Sequence, residues 1–313
     1  MIQAIHAGNL MHYASYMGIR AEDIKNLLDD PQKDICDPDE WVSEDEYLSI
    51  YNFVYIKSND EYFGLKFGTF LNIRSIGLIT EISKHAANLQ QCVHICDNYL
   101  KSTFAIVQLA ESFHNGTYQL SLHSALSDVK LKLQVLDTVL CFMYRELATK
   151  LPKDTKIIYE IPSSNETVFE KILHCHVQKG LEHRLLMDEN VLYQEFNHNR
   201  SHHIEILLPK FLALLEASND KITFISIVKR MIYNISTPEL PDIETVASCL
   251  FMSDRTLQRK LQAEGTNFRS LLNEIKQELT QYLSYDKKMK KQEIAHILGY
   301  EYASSLNHAE KKW

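Results

Sequence analysis

Apolar residues recur at helical spacing in AGNLMHYASYMGI, residues 7–19, with Gly18 as a stop. SEDEYLSIYNFVYIKS, residues 43–58, predicts a second helix, with Ser43 as N-cap and acids in its first turn. The helical period continues through residues 77–102 and, in LKLQVLDTVLCFMYRELATKL, through residues 131–151. Alternation at period two marks GTYQLSLHS (116–124) and TKIIYEIPS (155–163) as strands. EHRLLMDENVLYQ, residues 182–194, reads as strand or mixed structure, and residues 202–217 as a helix kinked near Pro209. Beyond Lys221 every segment is helical in period. This order predicts an α+β N-terminal domain followed by an all-α C-terminal domain.

The 313 residues suit two domains, and EASNDK (216–221) supplies a polar boundary. The expected division is 1–217 and 218–313. Formal net charge is −8, unevenly spread. From Lys221 onward the chain holds 14 Lys and Arg against 11 Asp and Glu, a net of +3 that leaves −11 for the rest. Such a split suits a nucleic-acid module joined to an acidic partner domain. The N-terminus has no signal-peptide pattern, and the most apolar stretch is broken by Pro209 and Lys210. The expectation is therefore a soluble, cytoplasmic chain that does not engage a membrane. Six scattered cysteines have no framework spacing and read as reduced thiols.

Within the basic part, SDRTLQRKL (253–261) can be wound as a helix. Leu257 and Leu261 then share one face, while Arg255, Gln258, Arg259 and Gln262 share the other. Ser253 caps its start and Gly265 ends it. Just upstream, Ile243, Val246, Ala247 and Leu250 form the apolar face of a short helix, and the turn between is about three residues. A support helix, a tight turn and a second helix with a polar outer face make a helix-turn-helix at about 243–264. In a major groove such a face can pair Arg with guanine and Gln with adenine. A solvated amphipathic helix on a helical domain is the alternative. The pattern repeats 48–49 residues later: Ala295 and Leu298 echo Ala247 and Leu250, and Leu306 echoes Leu257 after one extra turn residue. This places a second helix-turn-helix at about 291–313, joined to the first by the amphipathic segment 267–286.

The segment VASCLFMSDRTLQRKLQAEGTNFRSLLNEIKQELTQYLS, with EIAHILGY after it, resembles the DNA-binding domain of the AraC family of bacterial transcription regulators. Upstream, YFGLKFG and residues 73–100 are similar to the arabinose-binding-domain-like sensory domain of one branch of that family. The resemblance implies a cytoplasmic regulator with a ligand-sensing, dimerising N-terminal domain. Its implied partners are double-stranded DNA, a small-molecule effector and a second copy of the chain, with RNA polymerase a further candidate. Matched residue by residue, Arg255, Gln258 and Arg259 fall on base-facing positions of the first recognition helix, with Gln262 on the same face. Ser253 and Thr256 fall on cap and phosphate-contact positions. In the second unit, Ala303, Ser304, Asn307 and His308 take the outer positions. The family usually has Arg where His308 stands and Phe where Glu310 stands, and it continues past Trp313 with a closing helix. The second unit is therefore expected to look truncated, with an acid on its anchoring face.

No serine elbow, glycine-rich nucleotide loop, zinc-protease pair or phosphate loop is present, so no enzyme activity and no cofactor are expected. Cys92, His94 and Cys96 read as packed thiols beside an outward histidine, and His174, Cys175 and His176 have no second ligand pair. His198, His202 and His203 read as solvated loop residues. Two other readings stand beside the regulator. One is a relic with impaired DNA binding that acts through dimerisation; the other is an unrecognised enzyme.

Overall fold

The computed structural model describes residues 1–37, 39–71, 86–152, 154–162, 165–196, 206–207, 209–210, 223–236, 239–311 and 313. They fall into two compact units, Met1–Asn197 and His198–Trp313. The boundary expected at 217–218 and most of the helix expected over 202–217 lie outside the described residues, as do His198, His202, His203 and the stretch 72–85.

The first unit is α+β. Its helices are α1 (Ile5–Ser15), α2 (Ala21–Lys25), α3 (Glu44–Ser58), α4 (Phe63–Phe70), α5 (Leu89–Thr103), α6 (Val129–Lys150) and α7 (Glu166–Leu173). Two short strands, β1 (Ile2–Gln3) and β2 (Trp41–Val42), pair antiparallel. Five others, β3 (Gln108–His114), β4 (Thr117–His123), β5 (Ile158–Ile161), β6 (His176–Lys179) and β7 (His183–Asp188), form one sheet in the order β3-β4-β7-β5-β6. Only β5 and β6 pair parallel, and α7 connects them. Ser43 caps α3 through a capping box with Glu46, and Gly18 follows α1 with φ +78°.

Helix α6 is the spine of this unit. It packs on one side against β4 and β7 and on the other against α4. Its core residues Leu140 and Cys141 are fully buried, as are Tyr118, Leu120, Tyr159 and Leu185 of the sheet. Contact between α4 and α6 is close because two glycines sit one turn apart on α4. A β-carbon on Gly64 would stand 2.1 Å from the Gln134 carbonyl oxygen, and one on Gly68 would stand 2.6 Å from that of Thr138. The buried Gln134 is satisfied at both ends: its Oε1 accepts from Gly64 N–H at 2.7 Å, and its Nε2 donates to the Glu61 carbonyl at 2.8 Å. The Tyr51 hydroxyl joins the same seam, 2.8 Å from the Gln134 carbonyl oxygen and 2.7 Å from Thr138 Oγ1. Arg145 closes the end of α4 by donating to the carbonyls of Gly68, Thr69 and Leu71. These bonds cover backbone acceptors that a helix terminus leaves open.

The second unit is all helical among the described residues. It comprises α8 (Phe224–Ile235), α9 (Ile243–Cys249), α10 (Asp254–Ala263), α11 (Phe268–Gln281), a π-helical turn at Tyr282–Asp286, α12 (Lys291–Ile297) and α13 (Ala303–Glu310). Its core gathers Val228, Met231, Ile232, Val246, Leu257, Leu261, Ile275 and Leu279. Thr223, Asp242, Ser253 and Asn267 each accept the N–H three residues on, so four successive helices start on side-chain caps. Residues 267–286 form α11 and the π-helical turn, the connector expected between the two repeats.

Candidate nucleic-acid interface

Helices α9 and α10 form the first helix-turn-helix. Met252 N–H returns to the Ala247 carbonyl at 3.0 Å, and Phe251 takes a left-handed φ of +56° at the corner. Ala247 is buried there, and the absence of a larger side chain lets the two helices meet. Ser253 then caps α10: its Oγ accepts from Thr256 N–H at 3.2 Å and lies 2.9 Å from Thr256 Oγ1. Leu257 and Leu261 are fully buried, which fixes the rotation of α10 about its axis. As a result Ser253, Arg255, Arg259 and Gln262 are exposed, while Thr256 and Gln258 are half-buried.

The far end of α10 is held by contacts that sequence periodicity did not reveal. The Glu264 carboxylate accepts from the first two N–H groups of α8, and Lys260 Nζ sits 5.0 Å from the centroid of the Phe224 ring. Glu264 sits just before Gly265, which turns the chain at φ +83°. Lys260 is thus engaged in packing, and Arg255 and Arg259 carry the positive charge of the outer face.

Helices α12 and α13 repeat the arrangement. Tyr300 N–H returns to the Ala295 carbonyl at 2.8 Å, in register with Met252 and Ala247, and Gly299 takes the corner at φ +79° where the first unit has Phe251. The turn is one residue longer, as the spacing of Leu257 and Leu306 requires, and Leu306 is fully buried. Ser304, Asn307 and His308 are exposed and Ala303 is half-buried. Two differences separate the units. Tyr302, the N-cap of α13, makes no side-chain cap bond, and the outer face of α13 holds no Lys or Arg at these positions. Glu310 is neutralised rather than turned outward: its Oε2 lies 2.5 Å from Lys291 Nζ, tying the end of α13 to the start of α12.

The first unit contains a different kind of site. His6, Tyr47, Phe67, Tyr99, Phe104 and Phe142 line a cavity of about 50 Å³ that no sequence motif announced. The remaining wall is mainly apolar and contains no charged side chain among its lining residues. His6 Nε2 lies 3.3 Å from the Tyr99 hydroxyl, and burial lowers the His6 pKa to about 3, keeping the ring neutral. Cys96 also reaches this wall, and burial raises its thiol pKa. Cys92, its neighbour one turn away, is buried with its thiol pushed up to about 11, while His94 is exposed on another face of α5. His174 ends α7 in a left-handed conformation and His176 begins β6, with Cys175 between them pushed up to about 12 by burial. Among the described residues no group of three or more His, Cys, Asp or Glu side chains could hold a metal ion. Among those same residues, no helix is long and apolar enough to cross a membrane.

The chain thus combines an α+β unit that holds a small cavity with a helical unit that carries two helix-turn-helix repeats on one connector. Residues 28–195, more than half of the chain, match the arabinose-binding domain found at the N-terminus of AraC transcription regulators, and the chain belongs to that family. It is similar to HTH-type transcriptional regulators of Mycobacterium bovis and Mycobacterium tuberculosis. Each is 30% identical over 112 residues, which is 36% of this chain and 32% of theirs. It is also similar to the HTH-type transcriptional regulator VqsM of Pseudomonas aeruginosa, 31% identical over 75 residues, 24% of this chain and 23% of that one. The matches thus span about a third or less of the length of these relatives. The crystal structure of transcriptional regulator CdpR from Pseudomonas aeruginosa aligns with 85% of this chain and 87% of its own, at 17% identity and a TM-score of 0.42. At that score the likeness decides nothing about site or partner.

Proposed function

We propose that the chain is a sequence-specific, double-stranded DNA-binding regulator, with residues 218–313 contacting DNA and residues 1–217 binding an effector and pairing with a second copy. The observation that carries this reading is the outer face of α10. Its rotation is fixed by two fully buried leucines, its start by the Ser253 cap and its end by Glu264, so Arg255 and Arg259 project from a rigid frame. A recognition helix needs that combination, because a guanidinium reads guanine only when its two donors are held in register with the base edge. On this reading Arg255, Gln258, Arg259 and Gln262 face bases, and Ser253 and Thr256 face phosphate. Ser304, Asn307 and His308, the exposed residues of the second helix, lie against DNA on this reading.

The cavity beside His6 is the candidate effector site of this proposal; at about 50 Å³ it has room for only a few atoms, so a larger guest has to widen it. A sugar needs many hydrogen bonds, and this wall offers few; a small, uncharged and largely apolar molecule fits it better. Effector control then follows from linkage: a guest that prefers one arrangement of the dimer shifts the population able to place its recognition helices on DNA.

The test is Arg259→Ala in the full chain, measured against a duplex selected by the wild-type protein from a random pool. Specific binding should weaken by about 1–3 kcal/mol, from the lost bidentate contact. Binding to a scrambled duplex should change far less. Undiminished binding to the selected duplex would remove α10 from the role of recognition helix. Failure of the wild type to select any sequence would favour a chain that acts by pairing with intact relatives.

A further inference from the structure

The second helix-turn-helix has its positive charge in an unexpected place. Its outer helix α13 presents Ala303, Ser304, Asn307 and His308, whereas the turn leading into α12 carries Lys287, Lys288, Lys290 and Lys291 within five residues. All four lysines are exposed, against two acids, Asp286 and Glu293, in the same stretch. The turn is firmly built. Lys287 N–H donates to the Tyr282 carbonyl at 3.2 Å, and Met289 N–H donates to that of Leu283 at 3.0 Å, where Leu283 is fully buried. Glu293 Oε2 accepts from Lys290 N–H at 2.9 Å, so one of the two acids is occupied by the backbone. Lys291 reaches across to Glu310, and Lys287 Nζ lies 5.4 Å from the centroid of the Tyr282 ring. Lys288 and Lys290 form no ion pair with an acid among the described residues.

Resting on the DNA-binding reading above, we propose that this lysine turn is a phosphate anchor, and that the second unit holds DNA by its backbone rather than reading its bases. The first helix of such a motif crosses the phosphate backbone, so a turn entering α12 lies where phosphates pass. Lysine suits that role, being a compact point charge without the planar fork that pairs with a base edge. Phosphate contacts fix position and register without carrying sequence information. The two units therefore divide the labour. The Arg255 and Arg259 face supplies discrimination, and the Lys287–Lys291 turn supplies affinity that depends on salt.

The experiment compares the full-length wild type with Lys288→Gln/Lys290→Gln, on a selected duplex and on a scrambled one, across a series of salt concentrations. Each phosphate contact contributes about 0.9 to the slope of log affinity against log salt. The double variant should lose about 1.8 from that slope on both duplexes, and the ratio of specific to non-specific affinity should stay unchanged. Arg259→Ala should do the reverse, lowering the ratio with little change in slope. An unaltered slope in the lysine variant would overturn the anchor, even if promoter activity fell, and would point to an acidic protein partner instead. A drop in the specificity ratio would also overturn it, because the turn would then be reading sequence. No DNA binding by the wild type at low salt would defeat the parent reading instead. These exposed substitutions leave the core untouched, and circular dichroism of the variants checks that directly.

Discussion

Glu264 accepts the backbone N–H of Phe224 through Oε1 and that of Ile225 through Oε2, both at 2.9 Å. A residue some forty positions downstream thus supplies a charged cap for the first turn of α8. The geometry fastens the C-terminal end of α10 to a neighbouring helix, while Leu257 and Leu261 fasten its middle. Removing the carboxylate would free the first turn of α8 and the C-terminal end of α10, and leave the middle of α10 anchored by its leucines.

Glu264→Ala should therefore cost about 1 kcal/mol, in the usual range for a lost helix cap. That is roughly fivefold in a local opening equilibrium. Amide hydrogen exchange at Phe224 and Ile225 should speed up by that factor, with little change in α11. Glu264→Gln should fall between the two, since an amide has one acceptor oxygen where the carboxylate has two. Unchanged exchange in the alanine variant would show that the contact contributes nothing to holding α8.

The α4–α6 seam should be intolerant of a single methyl group. Gly64→Ala improves intrinsic helix propensity by about 1 kcal/mol. It also drives a β-carbon against the Gln134 carbonyl and displaces the hydrogen bond from Gly64 N–H to Gln134 Oε1. Overpacking of this kind costs about 1–3 kcal/mol, and the lost buried bond adds to it. Net destabilisation of the first unit is expected, read from the fluorescence of Trp41 during urea unfolding. A stabilised variant would mean that the two helices separate easily.

How far these features could be read from the chain varies with their origin. Periodicity located α1, α3, α6, α10 and α11, because each carries its buried apolar residues at helical spacing. It also placed Leu257 and Leu261 inward and Arg255 and Arg259 outward. Strand β3 escaped it: six of its seven residues are exposed, so no apolar alternation marks it. Its signal was Asn115-Gly116, which turns the β3–β4 hairpin with φ of +50° and +76°. β6 and α7 are short and take their place from tertiary packing. The cavity around His6 draws its wall from α1, α3, α4, α5 and α6, and its residues have no fixed spacing. Glu264 capping α8 is equally non-local. Glu310 stood out in the sequence as an acid on an anchoring face, but only the fold brought Lys291 to it.

The two corner residues of the helix-turn-helix units should differ in what they tolerate. Gly299 sits at φ +79°, and a β-carbon placed there would meet open space, so substitution incurs only the backbone penalty. Gly299→Ala should destabilise the second unit by about 1–2 kcal/mol. Hydrogen exchange in α12 and α13 would register it, while α9 and α10 should be unaffected. Phe251 already holds the same left-handed geometry with a side chain in place, at φ +56°. The first unit therefore carries that backbone cost in its native form, offset by the side-chain cap of Ser253 that α13 lacks. Equal stability of wild type and Gly299→Ala would mean that the second corner has no preference for glycine.

The cavity in the first unit should make stability depend on pH through one histidine. Burial alone lowers the His6 pKa to about 3, from an ordinary 6.5. The folded chain therefore keeps the imidazole neutral where the unfolded chain protonates it. Stability from this group is fully present above pH 6.5 and is lost as the pH falls from there toward 3. The ceiling is about 1.4 kcal/mol for each pH unit, or about 2 kcal/mol between pH 6.5 and 5. His6 keeps part of its surface open where it lines the cavity, so the measured loss should fall below that ceiling. His6→Gln cannot titrate. Urea unfolding of wild type and variant at about pH 7 and about pH 5, followed by Trp41 fluorescence, isolates the contribution, because carboxylates common to both cancel. The wild type should lose more stability than the variant over that interval. A small neutral guest that fills the cavity should raise wild-type stability by the same amount at both pH values, because the folded ring is neutral at each. Parallel losses in the two proteins would show that the imidazole takes up its proton in the folded state, and that the site is open to water and to charged molecules.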